Sequence, residues 1–262
     1  MTCPLLLISI ETTTALGQFY ITLPSNASMD LFPNNTLAEF KVKLPNHMNL
    51  DGDWEVGLAS ITFPRTWFTI RTKDCRVYYD DGSGFFSVLI IPEGYYNDIA
   101  GIVTAINAAL TKLGAKGIIL KLDKMTQKVT ATVAKGKKLS FENYLGVLLG
   151  FGNDIVLDKT TTGSYVSDIN VGMQSLFIYL NIVEPQVVGD ILAPLLRTVP
   201  AQGKMNEVIT LNYENPQYVP VTTKKFETLE VLITSDTGEK IPFERGRVVL
   251  TLNLRPRRSP YF

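Results

Sequence analysis

One histidine, His47, and two cysteines, Cys3 and Cys75, are all the imidazole and thiol in 262 residues. A hydroxyl or thiol nucleophile needs a base within hydrogen-bond reach, and imidazole is the commonest one. His47 follows Pro45 and Asn46 in "LPNHMNL", which reads as a solvated turn. A lone pair of cysteines is too few for a disulfide-stapled secreted scaffold, so both read as reduced thiols. Zinc needs three or four ligands at close spacing, and none of the His or Cys positions offers it. The acidic runs Asp51-Gly52-Asp53 and Asp80-Asp81-Gly82 sit where tight reversals are wanted, whereas a calcium cage needs six or more oxygens. No catalytic residue, cofactor or metal site is expected, and the chain reads as a non-enzyme.

The totals agree with a contact protein. Lys plus Arg (25) balances Asp plus Glu (25), which argues against a surface built to coat nucleic acid, since neutralising phosphates takes a basic excess. The apolar fraction of 45% is ordinary for a globular chain. The start, "MTCPLLLISI", has no basic residue ahead of its apolar run and no evident cleavage site, so a signal peptide is not expected. No run of apolar residues is long enough for a spanning helix. The sequons at Asn26-Ala27-Ser28 and Asn34-Asn35-Thr36 read as chance.

These residues must be carried by strands. "FYITL" puts Phe19, Ile21 and Leu23 on one face, and "FKVKL" puts Phe40, Val42 and Leu44 opposite Lys41 and Lys43. "WEVGLASITFP" sets Trp54, Val56 and Leu58 against Glu55, Gly57 and Ala59 until Pro64. Later, "LFIYLNIV" is apolar at nearly every position, as in a strand covered on both faces. "PLLRTV", "EVITLNY", "FETLEVLIT" and "RVVLTLNLR" follow, parted by turns such as "ENPQYVP" and "SDTGEKIP". That makes eight strands in two sheets, the count of a jelly roll.

Between them the period changes. "CRVYYDDGSGFFSVLII" reads as a hairpin, and "NDIAGIVTAINAALTKLG" as a helix capped by Asn97 and stopped by Gly114. A second hairpin, "IILKLDKMTQKVTATV", and a short helix in "SFENYLGVLLG", capped by Ser140, complete a ββαββα unit with one four-stranded sheet under its helices. Three strands before it bury too little to stand alone, so the unit is read as an insertion in one sandwich. The expected fold is mainly β: a single jelly-roll β-sandwich with an inserted α+β domain. Its parts are residues 1–71 with an N-terminal arm, the insertion 72–154, and 155–262.

The blocks "FYITLPSNASMDLFPNNTLAEFKVKLP", "DWEVGLASITFPRTW", "IPEGYYNDIAGIVTAIN", "YLGVLLGF" and "GRVVLTLNLRPRRSPYF" resemble the penton, or minor capsid, proteins of Polinton/Maverick elements, adintoviruses and virophage-like DNA viruses. The likeness runs from Phe19 to the C-terminus, its first two blocks being the most specific; residues 1–18 fall outside it. The resemblance implies a protomer that closes a homopentamer at each five-fold vertex of an icosahedral capsid, surrounded by double-jelly-roll major capsid protein. It also implies location in the virion after assembly in the host cell.

Candidate contact residues follow from loops and ends. Ser25, Asn26, Asn34 and Asn35 populate a long connection that either caps its own backbone or meets a neighbour. Arg255, Arg257, Arg258, Tyr261 and Phe262 form a basic, aromatic tail that either frays into solvent or docks on a neighbour, the aromatic pair filling a pocket and the arginines meeting carboxylates. Three arginines attract DNA only weakly and salt-sensitively, so DNA contact ranks last. The alternative is a receptor- or glycan-binding module acting through the insertion or the rim, with Trp67, Tyr95 and Tyr96 as stacking aromatics or as core. A third reading, a hydrolase on a sandwich, requires a pocket of convergent polar groups.

Overall fold

The computed structural model describes residues 17–257. Eight strands and one short segment build two stacked antiparallel sheets. The first carries β1 (Phe19–Pro24), β3 (Trp54–Pro64), β15 (Val208–Asn212), β16 (Tyr218–Pro220) and β18 (Val249–Pro256), in the order β1-β18-β3-β15 with β16 also on β3. The second carries β2 (Glu39–Asn49), β11 (Ser175–Leu180), β14 (Leu195–Pro200) and β17 (Lys225–Thr234), in the order β14-β11-β17-β2. Their inner faces share one core, with Leu23, Phe40, Val56, Phe63, Ile178, Val231 and Leu252 among its buried members.

Alternation dictates that core, and irregular steps adjust it. In β3, Trp54, Val56 and Leu58 face inward, but so do Ile61 and Phe63. The parity changes because the ladder with β18 shifts between Thr251 and Leu252, an extra residue that flips the side-chain set. A similar shift opposite β17 carries β2 past Leu44 and on to Asn49. His47 therefore lies in a strand and not in a turn, exposed and 3.2 Å from Glu227. "LFIYLNIV" is another correction: Leu176, Ile178 and Leu180 are buried while Phe177 and Tyr179 are half-covered, so one face is sealed and the other partly open.

Between β3 and β11 lies a second core. Helix α1 (Ile99–Lys112) buries Ile99, Ile102, Val103, Ile106 and Leu110. Its N-cap is Asp98, one residue beyond the expected Asn97; the Asp98 carboxylate accepts from the Gly101 N–H at 2.8 Å. Asn107 ties the helix to its neighbour strand, donating to the Leu120 carbonyl at 2.8 Å and accepting the Leu120 N–H at 2.9 Å. The strands form two sheets and not one. β4 (Arg76–Asp80), β5 (Ser87–Ile90), β8 (Lys138–Phe141) and β9 (Val156–Leu157) pair as β5-β4-β8-β9. β6 (Ile118–Asp123), β7 (Lys128–Val133) and β10 (Thr161–Thr162) pair as β10-β7-β6.

Ser140 lies within β8, and helix α2 (Asn143–Leu148) starts after it with Glu142 at the cap. Leu139 and Phe141 alternate inward, a strand period that a helical reading overruns. The second core runs from Ile70 to Leu157, with Ile169 and Val171 packed against it, beyond the expected limit at residue 154. The last pair of strands, β12 (Gln186–Val188) and β13 (Ile191–Ala193), is a separate hairpin between β11 and β14.

Candidate assembly surfaces

The Pro24–Leu37 connection is fixed by its own polar side chains. Ser25 is buried; its N–H donates to the Val248 carbonyl at 2.8 Å and its hydroxyl accepts the Val248 N–H at 3.1 Å. Asn35 donates to the Ala27 carbonyl at 3.2 Å and the Lys41 carbonyl at 2.9 Å, and accepts the Lys41 N–H at 2.9 Å. Both residues satisfy backbone groups of this chain, which is the work of a staple. Asn26 and Asn34 are exposed, and so are Met29 and Leu31 on the same loop.

The C-terminal candidates divide in the same way. β18 runs on through Pro256, which pairs opposite Trp54 where the ladder to β1 has already ended. Arg255 is engaged: its Nε donates to Glu55 Oε1 at 2.6 Å and its guanidinium stacks 3.5 Å over the Tyr218 ring. The Arg257 N–H donates to the Asp53 carbonyl at 2.8 Å. Arg258, Tyr261 and Phe262 lie outside the described residues, as does Cys3; Cys75 is a buried free thiol.

Turn chemistry accounts for the second acidic run, while in the first Asp53 pairs with Lys224 at 3.1 Å. Asp80 accepts the Gly82 and Gly84 N–H groups at 2.9 and 3.0 Å, and Asp81 accepts the Ser83 N–H at 3.1 Å. Hydrogen bonding to Ser83 holds the Asp81 carboxyl below its usual range. Among the described residues no group of three or more His, Cys, Asp or Glu is placed to hold a metal ion. No described helix is long and apolar enough to cross a membrane. Trp67 is core, edge-on to Phe243 at 5.7 Å and covered by Arg65. The Tyr96 hydroxyl donates to the Pro92 carbonyl at 2.7 Å, so neither aromatic offers a free stacking face with a free polar tip.

Two apolar ridges stand out of the surface that the sequence analysis did not single out. On the β12–β13 hairpin, Val187 is 78% exposed and its cross-strand partner Leu192 is 72% exposed, beside Ile191. On the edge strand β5, Val88 and Ile90 are exposed, and Phe85 before it is 80% exposed. Exposed apolar groups in clusters mark contact sites more often than isolated ones do. The signal for the hairpin was present: Gly189-Asp190 between Val-Val and Ile-Leu is a two-residue reversal.

This is a mainly β protein of stacked antiparallel sheets, with surfaces suited to contact. It has the fold of the mavirus penton protein: that crystal structure superposes with a TM-score of 0.51 at 14% identity, over 91% of this chain and 99% of that one. No family model and no curated protein matches the sequence.

Proposed function

We propose that the chain is a structural capsid protein that occupies the five-fold vertices of an icosahedral DNA-virus or Polinton-like particle. The observation that carries this is the shared fold, which extends over nearly the whole of both chains and takes in both cores. The motif blocks from Phe19 to the C-terminus support the same reading. The sandwich is a single jelly roll; the body built on the second core is an insertion that leaves after β3 and returns before β11.

Five copies close a ring through a heterologous interface, one patch meeting a different patch on the next subunit. The β12–β13 hairpin supplies the apolar half of such a contact, with Val187 and Leu192 as its anchors. Major capsid protein surrounds the ring and holds it. Co-expression with the double-jelly-roll capsid protein of the same genome, followed by cryo-electron microscopy, tests the assignment. Density for this chain at the vertices is the expected result; density only at faces or inside the shell rules it out.

A further inference from the structure

Alternation puts polar side chains such as Lys41, Lys43 and Glu230 on the outer face of the second sheet, and one row breaks that pattern. Glu39, Leu232, Tyr179 and Leu195 stand side by side across β2, β17, β11 and β14. Leu232 and Tyr179 are only half-covered there. The β12–β13 hairpin rises beside them, tied in where the Leu180 N–H donates to the Pro194 carbonyl at 3.0 Å. Ile191, Ala193 and Pro194 form the wall, and Leu232 and Tyr179 the floor, of a mainly apolar groove of about 470 Å³.

The rim of this groove is acidic. Glu39 pairs with Lys240, and Glu230 pairs with Lys41 at 3.0 Å. Asp190 precedes Ile191, and Asp236 lies two residues before Gly238, which also lines the groove. Both aspartates are exposed and enter no ion pair among the described residues. Four carboxylates thus stand against two lysines. An exposed Lys–Glu pair is worth little, and a guanidinium meets a carboxylate through two donors, so this rim suits arginines that flank an apolar anchor.

The chain carries such a segment in Arg257-Arg258-Ser259-Pro260-Tyr261-Phe262. It cannot reach the groove of its own copy. The Arg257 N–H is fixed to the Asp53 carbonyl at 2.8 Å, and the Asp53 carboxylate pairs with Lys224 at 3.1 Å, beside the Lys225 end of β17. Leu232 lies seven residues further along that strand, about 23 Å away. The five residues after Arg257 span at most about 18 Å. A groove and a segment that fit each other at opposite ends of one molecule make a heterologous contact, the kind that closes a ring.

We infer that this groove receives residues 257–262 of a second copy, with Tyr261 and Phe262 on Leu232 and Tyr179 and the two arginines against Asp190, Asp236 and Glu230. The contact deepens the proposed ring and rests on it for the identity of the partner. Ile191 and Ala193 turn one face of the hairpin to the groove, while Val187 and Leu192, a cross-strand pair, occupy the other face. Both faces of one hairpin are then used in the same subunit contact.

Fluorescence anisotropy tests the inference, with a labelled peptide of residues 255–262 as the probe. The receiver is the full-length chain carrying Tyr261→Ala and Phe262→Ala, whose own tail then does not compete. The expected result is saturable binding that weakens more than about tenfold when the peptide carries the same two alanines. Binding should also weaken about tenfold when the receiver carries Tyr179→Ala, or Asp190→Lys with Asp236→Lys, at unchanged melting temperature. The aspartates sit on exposed turns, so the lysine pair keeps the fold even where Tyr179→Ala does not. No saturable binding overturns the inference. So does binding that the alanine peptide retains in full, which is charge alone, or binding that no groove variant weakens, which puts the tail elsewhere. Vertex density without tail binding keeps the ring and discards this contact; tail binding without vertex density keeps the contact and discards the vertex.

Discussion

Ser25 and Asn35 show how a polar loop residue is spent on its own chain. The Asn35 amide is turned inward, its nitrogen donating to the Ala27 and Lys41 carbonyls and its one oxygen accepting the Lys41 N–H. Asn35→Ala should therefore lower stability by about 1–3 kcal/mol in urea titration, while the exposed Asn34→Ala should change it by less than about 0.5 kcal/mol. The composition of this loop was legible in the sequence; which amides face inward was not, because that depends on where Lys41 and Val248 stand across the fold. Tyr144 gives a second prediction at this scale. Burial pushes its phenol up to about 12, and its hydroxyl donates to the Val171 carbonyl at 3.0 Å. The unfolded phenol ionises near pH 10. A group with a raised folded pKa loses its contribution as pH climbs from the unfolded value to the folded one, so stability should fall between about pH 10 and 12. Tyr144→Phe should remove about 3 kcal/mol of that alkaline fall, as measured by urea melts at stepped pH. An unchanged slope in the variant would assign the fall to other groups.

At the scale of elements, period decided what could be read. Helix α1 was legible because five buried side chains recur at helical spacing, and Asp98 caps it one residue from the expected place. β8 and α2 were not cleanly separable, since a four-residue strand runs straight into a six-residue helix and each is too short to impose its period. The split of the second core's strands into two sheets depends on pairing partners far apart in sequence, such as β10 with β7 and β9 with β8, which no local pattern encodes. The β12–β13 hairpin was missed for a different reason: its apolar residues look like core until burial shows them outside. This exposure is the basis of a prediction. Val187→Lys with Leu192→Lys removes no buried contact, so the melting temperature of the isolated protein should stay within the scatter of surface substitutions. Incorporation into co-expressed particles, followed by gel and particle imaging, should drop by more than about tenfold if these are interface anchors. Wild-type levels of incorporation would move the subunit contact elsewhere, with the Phe85 and Ile90 ridge next to be tested.

The whole molecule rests on two cores that share no buried residue. Polar groups carry much of the joint between them: Arg65 donates to Asn170 at 2.9 Å, Lys73 pairs with Glu239 at 2.6 Å, and Gln174 donates to Asp168 at 3.1 Å. Interfaces of this kind couple units weakly compared with a continuous apolar core. Unfolding should then proceed in two steps, and Gly150 provides the means to tell them apart. It ends the "YLGVLLG" segment at φ +84, and a Cβ there would overlap the Tyr165 carbonyl oxygen. Alanine at this position meets both an unfavourable backbone region and a backbone clash that no side-chain rotation relieves. Gly150→Ala should lower the transition of the second core by about 3 kcal/mol or more and leave the sandwich transition within about 0.5 kcal/mol. Differential scanning calorimetry resolves the two, and near-ultraviolet dichroism from Trp54 and Trp67, both in the sandwich core, identifies which transition is which. A single transition that shifts as a whole in Gly150→Ala would mean that the two cores fold as one cooperative body, and the separation of the cores would then describe packing but not energetics.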